Sequence, residues 1–222
     1  MDKLLSNFKI KVPEVIFIKD PESSALGQNI ISGSIELIDH MGFESFNFKK
    51  LGVHIGSNES SIYRYFESKY KLLVYLSSWY WSWLEYRVVV ATYSLQDPTD
   101  KLNQAVAIIA EEVKQDSNFT YVNEVALNRI IVNESSKSFM TKNVDEENRA
   151  GNFESYKRLI QRLVSLIEGV SPEYPFARSL STTLIEASLH QHFLRDHFKS
   201  ISDCPSKGPA AFLADLVKKT LL

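Results

Sequence analysis

The sequence predicts an all-α protein. A small N-terminal three-helix domain carrying a helix-turn-helix is followed by a larger helical domain, with about nine helices in total. Three observations predict it. The stretch Phe46–Lys69, FNFKKLGVHIGSNESSIYRYFESK, reads as two short helices joined by a tight turn. From Ser68 to the end, apolar residues recur at helical spacing and are interrupted by Asp97-Pro98, Gly169, Ser171-Pro172 and the Cys204–Gly208 segment. No strand pattern appears beyond Val15–Ile18, and there is no internal repeat or low-complexity tract. The expected organisation is an arm over 1–26, a helix-turn-helix head over 27–72 and a larger helical domain over 73–222.

Taken in order, the arm holds the β-branched run Val15–Ile18 between Pro13 and Pro21, which predicts an extended segment. Helix 1 is expected over about Gly27–Met41, with Ile31, Ile35 and Ile38 inward and Gly42 ending it. Asn47 is a cap for the next helix, whose Phe48, Leu51 and Ile55 form an inward stripe. Gly56 stands where that helix must stop, because glycine tolerates the left-handed backbone of such a stop. Asn58 caps the second helix, Glu59 sits in its first turn where negative charge suits the helix dipole, and Ile62 and Phe66 point inward four residues apart. A long aromatic helix follows over 68–93, then helices over about 98–116, 121–136, 145–169, 175–200 and 207–221, with Pro98 suited to a first helical turn.

The second helix of the pair leaves Glu59, Ser60, Ser61, Tyr63 and Arg64 on or near its open face. Hydroxyl, aromatic and guanidinium groups on one face suit a major groove, where they meet base edges and phosphates. The residues Asn47, Leu51-Gly52, Ile55-Gly56-Ser57-Asn58, Ser60-Ser61, Ile62-Tyr63-Arg64-Tyr65-Phe66, Lys69 and Leu72-Leu73 resemble the DNA-binding domain of the TetR family of transcriptional regulators. The block Ile62–Phe66 with Lys69 and the following leucines is the most specific part of the likeness. The chain departs from the family pattern at Gly52, where alanine is usual, a change expected to weaken the short helix by about 1 kcal/mol. Ser57-Asn58 stands for Val-Ser, which loses a small core contact and keeps the cap.

The resemblance implies that the second helix enters the major groove while neighbouring helices grip the backbone. Glu59, Ser60 and Ser61 are then base-facing candidates; Tyr63, Tyr65 and Lys69 match positions that hold phosphates; Arg64 reads guanine or holds a phosphate; Asn47, Lys49 and Lys50 are further phosphate candidates. Charge resists this reading. Over 27–72, Lys49, Lys50, Arg64, Lys69 and Lys71 are balanced by Glu36, Asp39, Glu44, Glu59 and Glu67, five against five, where a DNA binder is usually basic.

Composition is that of an ordinary soluble protein: 222 residues, 44% hydrophobic, 23% charged, net charge −2. No apolar run approaches the roughly 18 residues of a membrane span, and the N-terminus has no signal-peptide pattern. The single cysteine, Cys204, fits a reducing compartment, so a cytoplasmic location is expected. No catalytic set emerges, so no enzyme and no cofactor are expected. His190 and His192 lie roughly 200° apart on a helix, against the three- or four-residue spacing of metal pairs, so no metal site is expected.

Two further expectations follow from the family. The last two long helices make a homodimer, through Leu180, Leu184, Ala187, Leu189 and Phe193 on the first and Phe212, Leu213, Leu216 and Val217 on the second. The helical body holds a small-molecule effector, with Trp83, Tyr86, Tyr121, Asn128, Tyr156 and His190 as candidate contacts. The sequence reading is therefore a dimeric, ligand-responsive repressor on a palindromic operator. Its rival is a helical ligand- or protein-binding dimer whose helix-turn-helix no longer reads DNA specifically.

Overall fold

The computed structural model describes residues 9–115, 119–204 and 208–221, and those residues form ten α-helices and no strand. They are α1 (Ala25–Ser45), α2 (Phe48–His54), α3 (Glu59–Ile62), α4 (Lys69–Thr92), α5 (Pro98–Ala110), α6 (Glu124–Glu134), α7 (Val144–Ala150), α8 (Glu154–Val170), α9 (Ala177–His197) and α10 (Ala210–Leu221). The count exceeds the expected nine because the stretch 145–169 is two helices. Gly151 takes φ +93, and its N–H bonds back to the carbonyls of Asn148 and Glu147, a left-handed stop that ends α7.

The expected helix over 98–116 also closes early, at Ala110. Its start is as read: Asp97 accepts from the Thr99 and Asp100 amides at 2.8 and 3.0 Å, and Pro98 takes the first helical position. The arm differs as well. Glu14–Ile16 is a 3-10 turn rather than extended chain, and Phe17 after it takes extended angles (φ −130°, ψ 157°). Ile10 and Ile16 are buried, so the arm from residue 9 onward is packed. Its first eight residues lie outside the described ones.

The contacts divide the chain into two units. One joins the residues up to Tyr80 with Val113–Ser155; the other joins Trp81–Glu112 with Tyr156–Leu222. The expected 27–72 head therefore lies inside a larger unit that also includes α6 and α7. In that unit Ile30, Ile31, Ile35 and Ile38 of α1, Phe48 and Leu51 of α2, Ile62 of α3 and Phe66 are all buried, and α1 packs on α2 and α6. In the second unit α5 packs on α9 and α10, burying Leu102, Val106, Leu184, Leu213 and Val217, while Leu159, Leu163 and Ile167 of α8 are also buried.

The long helix α4 contributes to both units. Every residue from Leu72 to Leu84 is buried, including Ser77, Ser78 and Ser82. A helix covered on all sides shows no amphipathic stripe. Its apolar contribution is large, since each fully buried large side chain contributes roughly 1.5–3 kcal/mol. The dense Tyr75–Trp83 aromatic run is thus core material by position.

Candidate nucleic-acid interface

The reading element is built from local hydrogen bonds. Asn47 accepts the Lys50 amide at 2.9 Å and starts α2. Phe48 and Leu51 fasten that helix to the core. Gly56 turns the chain with φ +66, and a side chain there would meet nothing within 4 Å. Asn58 then starts α3: its Oδ1 accepts from the Ser61 amide at 2.8 Å and from the Ser60 and Ser61 hydroxyls, both at 2.7 Å. Both serine hydroxyls donate their proton to Asn58, so they present lone pairs outward. That biases them toward base-edge donors such as the amino groups of cytosine and adenine.

Gly52 has a reason other than helix propensity. A Cβ on it would stand 2.8 Å from the Ser57 carbonyl oxygen, and the Ser57 amide bonds the Gly52 carbonyl at 2.8 Å. The close crossing of α2 with the turn takes the space a methyl group would need. The departure from the family pattern therefore matches the path of this turn, and the expected cost is offset by that packing.

The predicted contact residues fall into two groups. Asn47, Lys49, Lys50, Glu59, Ser60 and Arg64 are exposed, Ser61 is partly exposed, and Tyr63 is half exposed with its ring edge-on to Phe48, centroids 5.0 Å apart. Lys50 is tethered at its tip, donating to the Ser45 carbonyl at 2.6 Å. Tyr65 and Lys69 are placed otherwise. Tyr65 is 3% exposed, its hydroxyl 2.8 Å from Ser24 Oγ. The Lys69 ammonium donates to the carbonyls of Phe43, Glu44 and Phe46 at 3.0, 3.2 and 3.1 Å. A cation on the final carbonyls of a helix is favourable. Lys69 therefore closes the end of α1, and its donors are engaged there rather than pointing outward.

Charge on the head is also rearranged. Glu36 pairs with His54 at 2.8 Å, Asp39 with Arg129 at 2.6 Å and Glu44 with Lys137 at 3.0 Å. Arg129 and Lys137 lie outside 27–72, so cations from α6 and the turn after it cover acids that the sequence count left against the head's own lysines. Lys49 and Arg64 are exposed without an ion-pair partner among the described residues. The face around α3 is thus less neutral than the five-against-five count.

The ligand candidates are held by different neighbours. In the first unit Tyr121 donates to Glu22 at 2.5 Å and Asn128 donates to the Tyr80 hydroxyl at 2.8 Å. Burial, with the neighbouring Glu22 carboxylate, pushes the Tyr121 hydroxyl well above its ordinary range. In the second unit Trp83 lies under the Arg87 guanidinium, Tyr86 is partly exposed, Tyr156 donates to Glu186 at 3.1 Å, and His190 is exposed beside Phe193. Among the described residues no group of three or more His, Cys, Asp or Glu is arranged for a metal ion. Burial raises the Cys204 thiol, the opposite of an activated nucleophile.

Most of the apolar stripe expected to face a second subunit is occupied within its own unit. Leu180, Leu184, Leu189, Leu213 and Val217 are buried where α5, α9 and α10 pack together. Only part of the set stays open: Phe212 is half exposed, and Ala187, Phe193 and Leu216 are partly so.

Residues 30–76 match the profile of the family described as bacterial regulatory proteins, tetR family. The head is a TetR-family DNA-binding domain. The whole chain also shares its fold with solved proteins, one of them described as of the tetR family. A regulatory protein of the tetR family from Rhodococcus RHA1 superposes with a TM-score of 0.61 at 14% identity, over 89% of this chain and 96% of that one. AibR, solved with isovaleryl coenzyme A and operator DNA, gives a TM-score of 0.57 at 15% identity, over 87% and 98%. The superantigen PfiT gives 0.57 at 14% identity, over 91% and 96%. No curated protein sequence matches. At such identities the structural likeness speaks for the fold alone. Among the described residues no helix is long and apolar enough to cross a membrane.

Proposed function

We propose that this TetR-type chain is a ligand-responsive transcriptional repressor that binds a palindromic operator as a homodimer. The observation that carries the reading is the exposed polar face Glu59–Arg64, held in register by the two asparagine caps and flanked by Lys49 and Lys50. Glu59, Ser60 and Ser61 face the bases, and Asn47, Lys49, Lys50, Tyr63 and Arg64 hold the backbone. Tyr65 and Lys69 support that face from within. The dimer forms through the open parts of α9 and α10 around Phe193, Phe212 and Leu216. AibR's complex supports the effector half of the reading by analogy: a small molecule held by the helical body shifts the equilibrium only if it prefers the form that releases DNA.

Selection of bound fragments from random duplex DNA, at two salt concentrations, tests this. The expected product is an inverted repeat with half-sites one helical turn or a multiple apart, weakening as salt rises. No enrichment even at low salt overturns it. A second reading then stands, favoured by the tethering of Lys50 and Lys69 on backbone carbonyls: a helical ligand- or protein-binding dimer whose head no longer reads sequence. PfiT, by its name a superantigen, supports the point that this fold serves more than one role.

A further inference from the structure

The packed arm ends against the reading element. The Ile18 amide donates to the Tyr65 carbonyl at 2.8 Å, Ser24 Oγ lies 2.8 Å from the Tyr65 hydroxyl, and the Lys19 ammonium sits 5.0 Å from the centre of the Tyr65 ring. Tyr65 follows directly on the exposed Arg64. Three features of the arm thus hold one residue at the end of the recognition turn.

Lys19 and its two acidic neighbours face different sides. In the sequence, Asp20 and Glu22 outnumber the neighbouring Lys19 two to one. In the structure Asp20 accepts the Glu22 amide at 2.8 Å, and Glu22 is buried with the Tyr121 hydroxyl on its carboxylate. Asp20 and Glu22 act on Tyr75 and Tyr121, whose hydroxyls burial and these acids raise. Lys19 and Arg64 act on Tyr65 instead. There the Ser24 hydrogen bond first, and the Lys19 and Arg64 charges after it, hold the hydroxyl below its ordinary value against the opposing effect of burial. Lys19 itself stays exposed. Asp20 and Glu22 therefore lie toward Tyr75 and Tyr121, where Lys9 also acts on Glu22, while Lys19 is turned toward the reading element.

We propose that the arm delivers Lys19 to the DNA backbone, where its ammonium takes one phosphate beside the Tyr65–Ser24 hydroxyl pair, next to the phosphate that Arg64 holds. The proposal rests on the DNA-binding reading above. It adds a contact from outside the matched 30–76 region, and it explains why the arm is packed. Burying Ile10 and Ile16 fixes the position of a charge that a loose tail would carry only on average.

Counterion release supplies the test. Each neutralised phosphate adds about 0.9 to the slope of log affinity against log salt. Affinity of the full chain is measured across salt for wild type, Lys19→Gln and Lys19→Arg, on the selected operator and on random duplex. The expected result for Lys19→Gln is a slope shallower by about 0.9, with binding roughly eightfold weaker at 0.1 M salt and converging on wild type towards 1 M. Both DNAs weaken alike, because a phosphate contact carries no sequence information. Lys19→Arg restores the slope. If the slope is unchanged in Lys19→Gln while wild type still selects its operator, the proposal is overturned and the DNA reading stands. If Lys19→Gln weakens binding by the same factor at every salt concentration, Lys19 acts only by supporting Tyr65, which also overturns it. If wild type binds no duplex at low salt, both fall together.

Discussion

Two glycines with positive φ precede the reading face Glu59–Arg64, and they are held in opposite ways. Gly56, at φ +66, lies in open space, and its turn is fixed by residues within a few positions of it: Asn58 on Ser60 and Ser61, Ser57 on Gly52, Ile55 on Leu51. Gly42, at φ +75 and ψ 156, breaks α1 and is fixed from far along the chain. Glu134 accepts the Phe43 amide at 3.1 Å, across 91 residues. Lys69 takes three carbonyls of the same segment, and Lys137 bridges Glu134 and Glu44 at 2.7 and 3.0 Å. One turn is a self-contained local structure. The other is a junction where α6, the start of α4 and the end of α1 are tied together. A regulator needs both: a reading element that keeps its shape, and a joint through which other helices can act on it.

The largest expected effect comes from removing the centre of the junction. Lys69→Met strips a cation from three carbonyls, two of them partly buried. Charge-assisted hydrogen bonds contribute about 1.5–3 kcal/mol, so a loss of about 2 kcal/mol in urea unfolding is expected. A variant as stable as wild type that instead shows a shallower salt slope on DNA would return Lys69 to the phosphate role expected from its family position, and would break the comparison.

The two glycines themselves give the next test. Gly42→Ala places a β-carbon in a backbone region that is almost glycine-only, at a cost of about 2 kcal/mol. Gly56→Ala has free space and a milder strain of about 1 kcal/mol. Equal losses would mean that the tied junction relaxes as easily as the open turn. A larger loss at Gly42, read from matched urea melts, sharpens the contrast.

The same contrast explains what the sequence made legible. Asn47, Gly56 and Asn58 were readable because caps and left-handed stops act over three or four residues, and their chemistry is in the letters. The fold class and the inward set Phe48, Leu51, Ile62 and Phe66 were readable for the same reason. The break at Gly151 was in the letters too, but a helical pattern on both sides masked it. Partners across long separations left no such trace. Nothing near Lys69 in sequence announces three carbonyls of another helix, and nothing near Asp39 announces Arg129, 90 residues on. The even charge count misled because it assumed a solvated charge for every acid. The arm misled because Lys19, Asp20 and Glu22 are neighbours in sequence and face different sides in the fold.

The smallest effect on stability should come from the local side, and it should be the most visible in recognition. Asn58→Ala removes one exposed cap, expected to cost about 0.5–1 kcal/mol. It also frees the Ser60 and Ser61 hydroxyls from the one oxygen that orients them. Free hydroxyls can donate or accept, so their preference for donor groups on the bases should fade. Asn58→Asp keeps an acceptor in place and holds the cap. In a fragment selection, the alanine variant should return a broader consensus at the base positions facing Ser60 and Ser61, with the phosphate-dependent salt slope unchanged, and the aspartate variant should return the wild-type consensus. If both variants keep the wild-type consensus, the serines do not read bases, and direct base readout has to rest on Glu59. The distinction is physical: a cap that only stabilises the helix shifts affinity on all sequences together, whereas a cap that also sets hydroxyl direction changes which sequence is preferred.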